Sequence, residues 1–187
     1  MKTTNGSWEI GVYTNNNLWF TYATDTNYNA NTNTVTQTHI DVNGHVWGAV
    51  WNDYAEMREI PEEIEPGRCV REVGDDTMVL STARLQRGCK IISDTFGFNI
   101  GETENAKTPI AVSGRALVYL AEGREAARTH IGWPVCSGPD GTVSIMTEEE
   151  EEKYPSRIVG TISSVPDYEE WGTGKVKVNG RIWIYVR

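Results

Sequence analysis

At 187 residues, with 39% hydrophobic and 23% charged side chains, the chain has the make-up of a folded protein and not of a disordered one. Its formal net charge of −9 argues against non-specific nucleic-acid binding, which needs Lys and Arg against phosphates, and against an anionic membrane surface. No apolar run approaches the roughly 18 residues that span a bilayer, and the opening MKTTNGSWEI has no apolar signal core, so neither export nor membrane insertion is expected.

Residues 1–50 alternate with the period of β-strands in WEIGVY, LWFTYAT, TVTQTHIDV and HVWGAVW. Turn-forming runs separate them: TNNN at 14–17, TNYNANTN at 26–33, and Asn43-Gly44, which predicts a hairpin. The apolar surface here is mostly aromatic (Trp8, Tyr13, Trp19, Phe20, Tyr22, Trp47 and, at the seam, Trp51) and holds few aliphatic core residues. Such a segment buries too little to fold alone, so it needs a following domain or identical copies of itself.

Composition changes in VWNDYAEMREI, residues 50–60, where Asp53, Glu56, Arg58 and Glu59 follow a stretch with few charges. From 51 to 187 the chain is richer in Val, Ile, Gly and charge. Strand-like runs recur as RCVREV, TMVLST, GCKIIS, TPIAVSGRALVYL, THIGWPV, GTVSIM, RIVGTISSV and KVKVNGRIWIYV. Many short strands between turns predict an all-β domain, a β-sandwich or jelly-roll-like fold. One short helix is expected after Thr147, with Glu150 completing a capping box and Pro155 ending it. The Glu148–Glu152 run then favours the helix dipole and solvent. At the end, Asn179-Gly180 predicts a hairpin that pairs Val178 with Arg181 and Val176 with Trp183.

Cys69, Cys89 and Cys136 are odd in number and show no CxxC spacing, so they read as small buried apolar residues without disulfide or zinc. His39, His45 and His130 lack partners at ligand spacing. No metal and no cofactor is expected. No Ser-His-Asp order, P-loop or dinucleotide motif suggests an enzyme acting on other molecules.

The block WNDYAEMREI, with PIAVSGRALVYL and VGTISSVPDYEEWGTGKVKVNGRIWIYVR, resembles the C-terminal intramolecular-chaperone autoproteolytic domain of bacteriophage tail spikes and pre-neck appendages. The resemblance covers roughly residues 45 to 187. Members of that family trimerise, help a preceding β-rich spike assemble, and cut their own chain just before the Asp of an Asp-Tyr-Ala-Glu block. The resemblance implies Asp53 and Glu56 as the catalytic pair and Asn52–Asp53 as the scissile bond. It implies a homotrimer, a peptidase acting only in cis or within the trimer, and a virion protein made in the bacterial host cytoplasm. A longer parent spike or other virion proteins would be its partners. Residues 1–50 look like a fibre-tip segment whose aromatic strands intertwined trimers bury together, and residues 51–187 like the autoproteolytic chaperone domain. Two other readings stand beside this one. One is a non-catalytic structural or decoration protein of the virion; the other is a tip that binds host-surface glycan through its Trp, Tyr and Asn side chains.

Two nearby carboxylates can divide acid and base roles in peptide hydrolysis if burial and repulsion separate their pKa values. Positions i and i+3 meet on a helical turn; on a strand they point to opposite faces, about 10 Å apart. DYAE therefore needs a turn or bulge, or a neighbouring subunit to complete the pair. The best-studied family pattern has a Ser before the Asp for an N-to-O acyl shift, a route that Asn52 closes. Asn52 opens another, attack of its side-chain nitrogen on its own carbonyl carbon, and Asp53 attack on that carbon is a third. The bland alternative is a turn in which Asp53 accepts backbone hydrogen bonds and Glu56 pairs with Arg58 or another Arg. Arg115, in an otherwise apolar strand, is expected to make a paired structural contact, and Arg181 to clamp a neighbour's carboxylate across an interface.

Overall fold

In a computed structural model of the chain, residues 52–187 are described except 75, 76 and 173, together with the backbone of five strands between residues 2 and 47. The chain divides into two compact units, Met1–Val50 and Trp51–Arg187, at the change of composition. In the first, β1 (Lys2–Thr3), β2 (Gly6–Val12), β3 (Leu18–Ala23), β4 (Val35–Ile40) and β5 (Val46–Trp47) form an antiparallel sheet in sequential order. The Asn43-Gly44 turn lies outside the described residues; the strands on either side of it pair with Ile40 opposite Val46.

The second unit is all-β with short helical pieces. Its strands are β6 (Asp53–Arg58), β7 (Cys69–Gly74), β8 (Thr77–Leu80), β9 (Cys89–Ile92), β10 (Phe96–Ile100), β11 (Thr108–Val118), β12 (Pro134–Ser137), β13 (Val143–Ile145) and β14 (Gly160–Ser164), then β15 (Glu170–Trp171), β16 (Val176–Lys177) and β17 (Ile182–Val186). All except β15 and β16, which pair with each other, belong to one ten-stranded sheet.

β11 organises that sheet. Its first half pairs with β6 on one side and β9 on the other; its second half pairs with β17. From β9 the pairing continues to β7 and β8, and a Glu59–Thr77 bridge returns it to the end of β6. From β17 it continues to β14, β12 and β13, and a Leu120–Val143 bridge returns it to the end of β11. Two hydrogen-bonded circuits thus share one strand, and closure leaves few unpaired strand edges. Val70, Met78, Ile92 and Ile110 pack as the core of the first circuit, with Ile60 and Ile64 against them. A larger core joins Ala116, Val118, Val135, Ile162, Ile182 and Ile184 to Cys69, Ile91 and Ala111. Cys69 and Cys136 are buried, Cys89 is half-buried, and all three are free thiols.

The expected helix is α2 (Glu148–Lys153). Thr147 accepts from the Glu150 N–H and the Glu150 carboxylate accepts from the Thr147 N–H. The same carboxylate takes two hydrogen bonds from Arg84, at 2.8 and 2.5 Å, which hold its pKa down at about 2. A second helix, α1 (Gly123–Thr129), occupies GREAART, and the strand expected in THIGWPV begins only at Pro134.

The C-terminal turn forms as expected: Asn179 and Gly180 have φ of 49° and 77°, and the Arg181 N–H donates to the Val178 carbonyl at 2.9 Å. The strands beyond it diverge. β16 pairs with β15, so the expected Val176–Trp183 pair does not form; β17 is drawn instead between β11 and β14, where both of its edges are satisfied. Val178 and Trp183 still meet, buried against Leu117. Arg181 also departs from expectation. It is 2% exposed and grips Asp94 of its own chain with two hydrogen bonds of 2.9 and 2.8 Å, while donating to the carbonyls of Lys177 and Val178. Planar bidentate geometry is what a guanidinium supplies and an ammonium does not. Removing it leaves Asp94 uncompensated and a void beside Gly67, so Arg181→Ala is expected to lower stability by about 3–5 kcal/mol in chemical denaturation. Arg181→Lys should recover only part of that.

Candidate functional site at the Asn52–Asp53 peptide

β6 opens the second unit, and its burial alternates: Asp53 and Ala55 are buried while Tyr54 and Glu56 are half-exposed. DYAE is therefore a strand, and the helical turn that would join the two carboxyls does not form. Asp53 and Glu56 lie on opposite faces, as strand geometry requires for residues three apart. On the outer face Tyr54 stacks on Phe98 with ring centroids 5.3 Å apart. Glu56 stands 3.9 Å from an Arg58 nitrogen and lines a cleft of about 370 Å³ with Glu59, Gly101 and Thr103. Arg58 also binds Glu72 at 2.7 Å. Within one chain the implied catalytic pair is not assembled.

The Asn52–Asp53 peptide has a different setting. Both neighbours of β6 bulge near its start: β10 between Phe96 and Phe98, opposite the Asp53–Tyr54 step, and β11 between Ala111 and Ser113, opposite the Tyr54–Ala55 step. The bulge brings Gly114 opposite Asp53 with φ of +106°. A Cβ there would stand 2.2 Å from the Asn52 carbonyl oxygen, 2.7 Å from Asp53 Cα and 3.1 Å from the Asn52 carbonyl carbon. Only glycine permits both the conformation and the approach.

That approach delivers the next residue. The Arg115 backbone N–H donates to the Asn52 carbonyl oxygen at 2.7 Å, and the Arg115 guanidinium donates to Asn52 Oδ1 at 3.0 Å. The guanidinium also lies over the Trp183 ring, 5.2 Å from its centroid, and the Trp183 N–H donates to the Tyr168 hydroxyl at 2.9 Å. Asn52 Nδ2 is buried and meets no hydrogen-bond partner among the described residues. The paired contact expected of Arg115 is therefore made, and made to the bond at issue.

Asp53 is 6% exposed. Its Oδ1 accepts from the Thr95 hydroxyl at 2.8 Å, and the Thr95 backbone N–H in turn donates to the Ser93 hydroxyl oxygen at 3.0 Å. Its Oδ2 is buried without a partner among the described residues. Burial pushes the Asp53 pKa up; the hydroxyls of Ser93 and Thr95 pull against it, and the Asp94 charge adds to the rise. The arrangement joins a carbonyl polarised by a fixed donor to a carboxyl that burial biases toward its protonated form, beside the nitrogen that would leave.

Asn52 and Asp53 stand out in the sequence as candidates, whereas Thr95, Ser93 and Gly114, which surround them in the fold, do not. The available signals were Ser-Gly-Arg inside an apolar strand and the polar Ser93-Asp94-Thr95 run after GCKII. Among the described residues no group of three or more His, Cys, Asp or Glu side chains is placed to hold a metal, and no helix is long and apolar enough to cross a membrane. Comparison of the chain with protein-family models, with curated proteins and with solved structures gives no match.

Gly114→Ala is expected to cost about 1–3 kcal/mol through its positive φ, with a further loss from the steric conflict at Asn52. An altered amide chemical shift at Arg115 would show that the contact to the Asn52 carbonyl has opened. For Asp53 the sign follows from its raised pKa. Between the ordinary carboxylate value and its own, the native state holds a proton that the unfolded chain has released. Stability from this group accordingly falls as pH rises through that window and is level above it. Denaturation at a series of pH values should show this fall in the wild type and lose it in Asp53→Asn.

Proposed function

We propose that this chain is a C-terminal domain of a bacteriophage tail spike or fibre that drives trimer assembly and cuts its own chain at Asn52–Asp53. The observation that carries the reading is the 2.7 Å hydrogen bond from the Arg115 N–H to the Asn52 carbonyl, with Gly114 against the peptide and the buried Asp53 carboxyl beside it. A fixed donor on a carbonyl oxygen stabilises the charge that develops there when the bond is attacked. The resemblance of WNDYAEMREI to the self-cleaving block supplies the biological setting, a virion protein.

The trimer is part of the proposal. Among the described residues β10 pairs only with β6, and Phe98 and Ile100 on it are 49% and 43% exposed. An open strand edge bearing exposed apolar side chains suits a second copy of the chain. The jelly-roll-like domain of this reading acts as the clamp that holds three chains together. Glu56, outward-facing on β6, then serves a neighbouring subunit, which makes the cut dependent on assembly. A second reading, a trimer clamp without chemistry, is favoured by the separation of Asp53 and Glu56 on opposite faces of β6.

Intact mass of freshly purified protein under denaturing conditions, repeated after incubation, decides between the two. Two species that divide the chain between Asn52 and Asp53 are expected, with trimer in sedimentation. Gly114→Ala should slow the division by at least about 10²-fold, the scale of losing one donor to a developing oxyanion. A wild-type chain that stays whole while it trimerises would establish the structural reading, and a monomer would overturn both.

A further inference from the structure

We propose that the Asn52–Asp53 bond is broken by cyclisation of Asn52 onto its own backbone carbonyl, with Arg115 as the positioning residue. The inference rests on the self-cleaving reading above and names its nucleophile.

The argument begins with the orientation of the Asn52 amide. A guanidinium has only donors, so the atom that Arg115 Nη2 meets at 3.0 Å is the amide oxygen. The nitrogen is left as the buried atom with no partner among the described residues. A buried amide nitrogen normally finds an acceptor; this one meets none among the described residues. It belongs to the same residue as the carbonyl carbon it would attack, and the ring so formed contains Nδ2, Cγ, Cβ, Cα and C. Intramolecular attack of this kind needs no bound water and gains from effective molarities of about 10⁵–10⁸ M when the geometry is held.

One residue holds both ends of that geometry. The Arg115 N–H sits on the carbonyl oxygen that must accept charge as Nδ2 adds. The Arg115 guanidinium sits on Oδ1, the atom that gains electron density as Nδ2 gives up a proton. Stacking over Trp183, itself 1% exposed, fixes the guanidinium in place. Hydrolysis by paired carboxylates within one chain, by contrast, would need a second carboxylate to activate water at this carbonyl, and the Glu56 of the same chain lies on the other face of β6; cyclisation needs none.

The step balances without a co-reactant. A bond forms between Nδ2 and the Asn52 carbonyl carbon, and the bond from that carbon to the Asp53 nitrogen breaks. One proton passes from Nδ2 to the departing nitrogen, and the Asp53 carboxyl, whose Oδ2 is free of other hydrogen bonds among the described residues, relays it. The products are an N-terminal piece ending in a succinimide and a C-terminal piece beginning with a free Asp53 amine. No water is consumed. Later ring opening adds water at either carbonyl and leaves a mixture of C-terminal asparagine and isoasparagine.

The test follows the full chain from the earliest accessible time after purification, by intact mass and by mapping of the new C-terminus. An N-terminal piece lighter by one water than the hydrolysis product, converting later to a piece that contains isoasparagine, is expected. Arg115→Ala keeps the backbone N–H and should slow cleavage about 10²-fold with the same product, Arg115→Lys less. Asn52→Asp should abolish the light species and slow the cut. An N-terminal piece that carries a full water and only ordinary asparagine from the first time point would overturn cyclisation while leaving self-cleavage intact. So would Asn52→Asp cleaving at the wild-type rate. Absence of any cut in the wild type would overturn both, and the wild-type product analysis stands even if a variant fails to fold.

Discussion

β11 belongs to two hydrogen-bonded circuits, so its eleven residues have to satisfy two registers at once. Its first half is pinned between β6 and β9, its second half joins β17, and Gly114 stands where the two regimes meet, opposite both Asp53 and Val186. A regular strand of that length would carry a side chain into the Asn52–Asp53 peptide. The bulge before Ser113 and the missing Cβ of Gly114 resolve the conflict, and in doing so they press one backbone onto another. The tight contact at the candidate site is thus a consequence of how the sheet closes.

That placement has an electrostatic side. A carboxyl at the start of β6 would ordinarily be solvated, and Asp53 is instead buried with one oxygen served by Thr95 and the other unserved among the described residues. Arg115 is spent on Asn52 and Trp183, and Arg181 on Asp94. Buried polar groups left short of partners detract from stability and recur where chemistry is done. The fold can hold such a site because the surrounding core is closed on several sides by β-sheet pairing and aliphatic packing.

Much of the architecture was legible along the chain. Alternating Val and Ile, with Gly, Asn and Pro between the runs, declared an all-β protein, because a period of two and turn chemistry are local properties. Thr147 and Glu150 marked α2 for the same reason. α1 was missed although Glu-Ala-Ala-Arg favours a helix, since it lies between two strand-like runs and has no capping side chain. β10 is likewise illegible along the chain, because the glycine and the amide of FGFNI interrupt a strand pattern. The C-terminal turn was legible, but the strand beyond it paired elsewhere. A turn dictates reversal of the chain; which edge then takes the strand depends on every other edge present.

The sequence by itself determined the change of character near residue 50, the β class, the capped helix, and the suspicion attached to Asn52, Asp53 and Glu56. Each of these rests on composition, periodicity or residue type, which are read without knowing what lies beside them. Tertiary structure decided the rest. Glu56 faces away from Asp53 because DYAE became a strand when β10 and β11 took its two edges. Arg181 closes on Asp94, 87 residues away in the chain, and Arg115 reaches Asn52 across a separation of 63 residues. Contacts between positions so distant depend on register and on sheet closure, and those are settled only when all the strands compete for one another's edges.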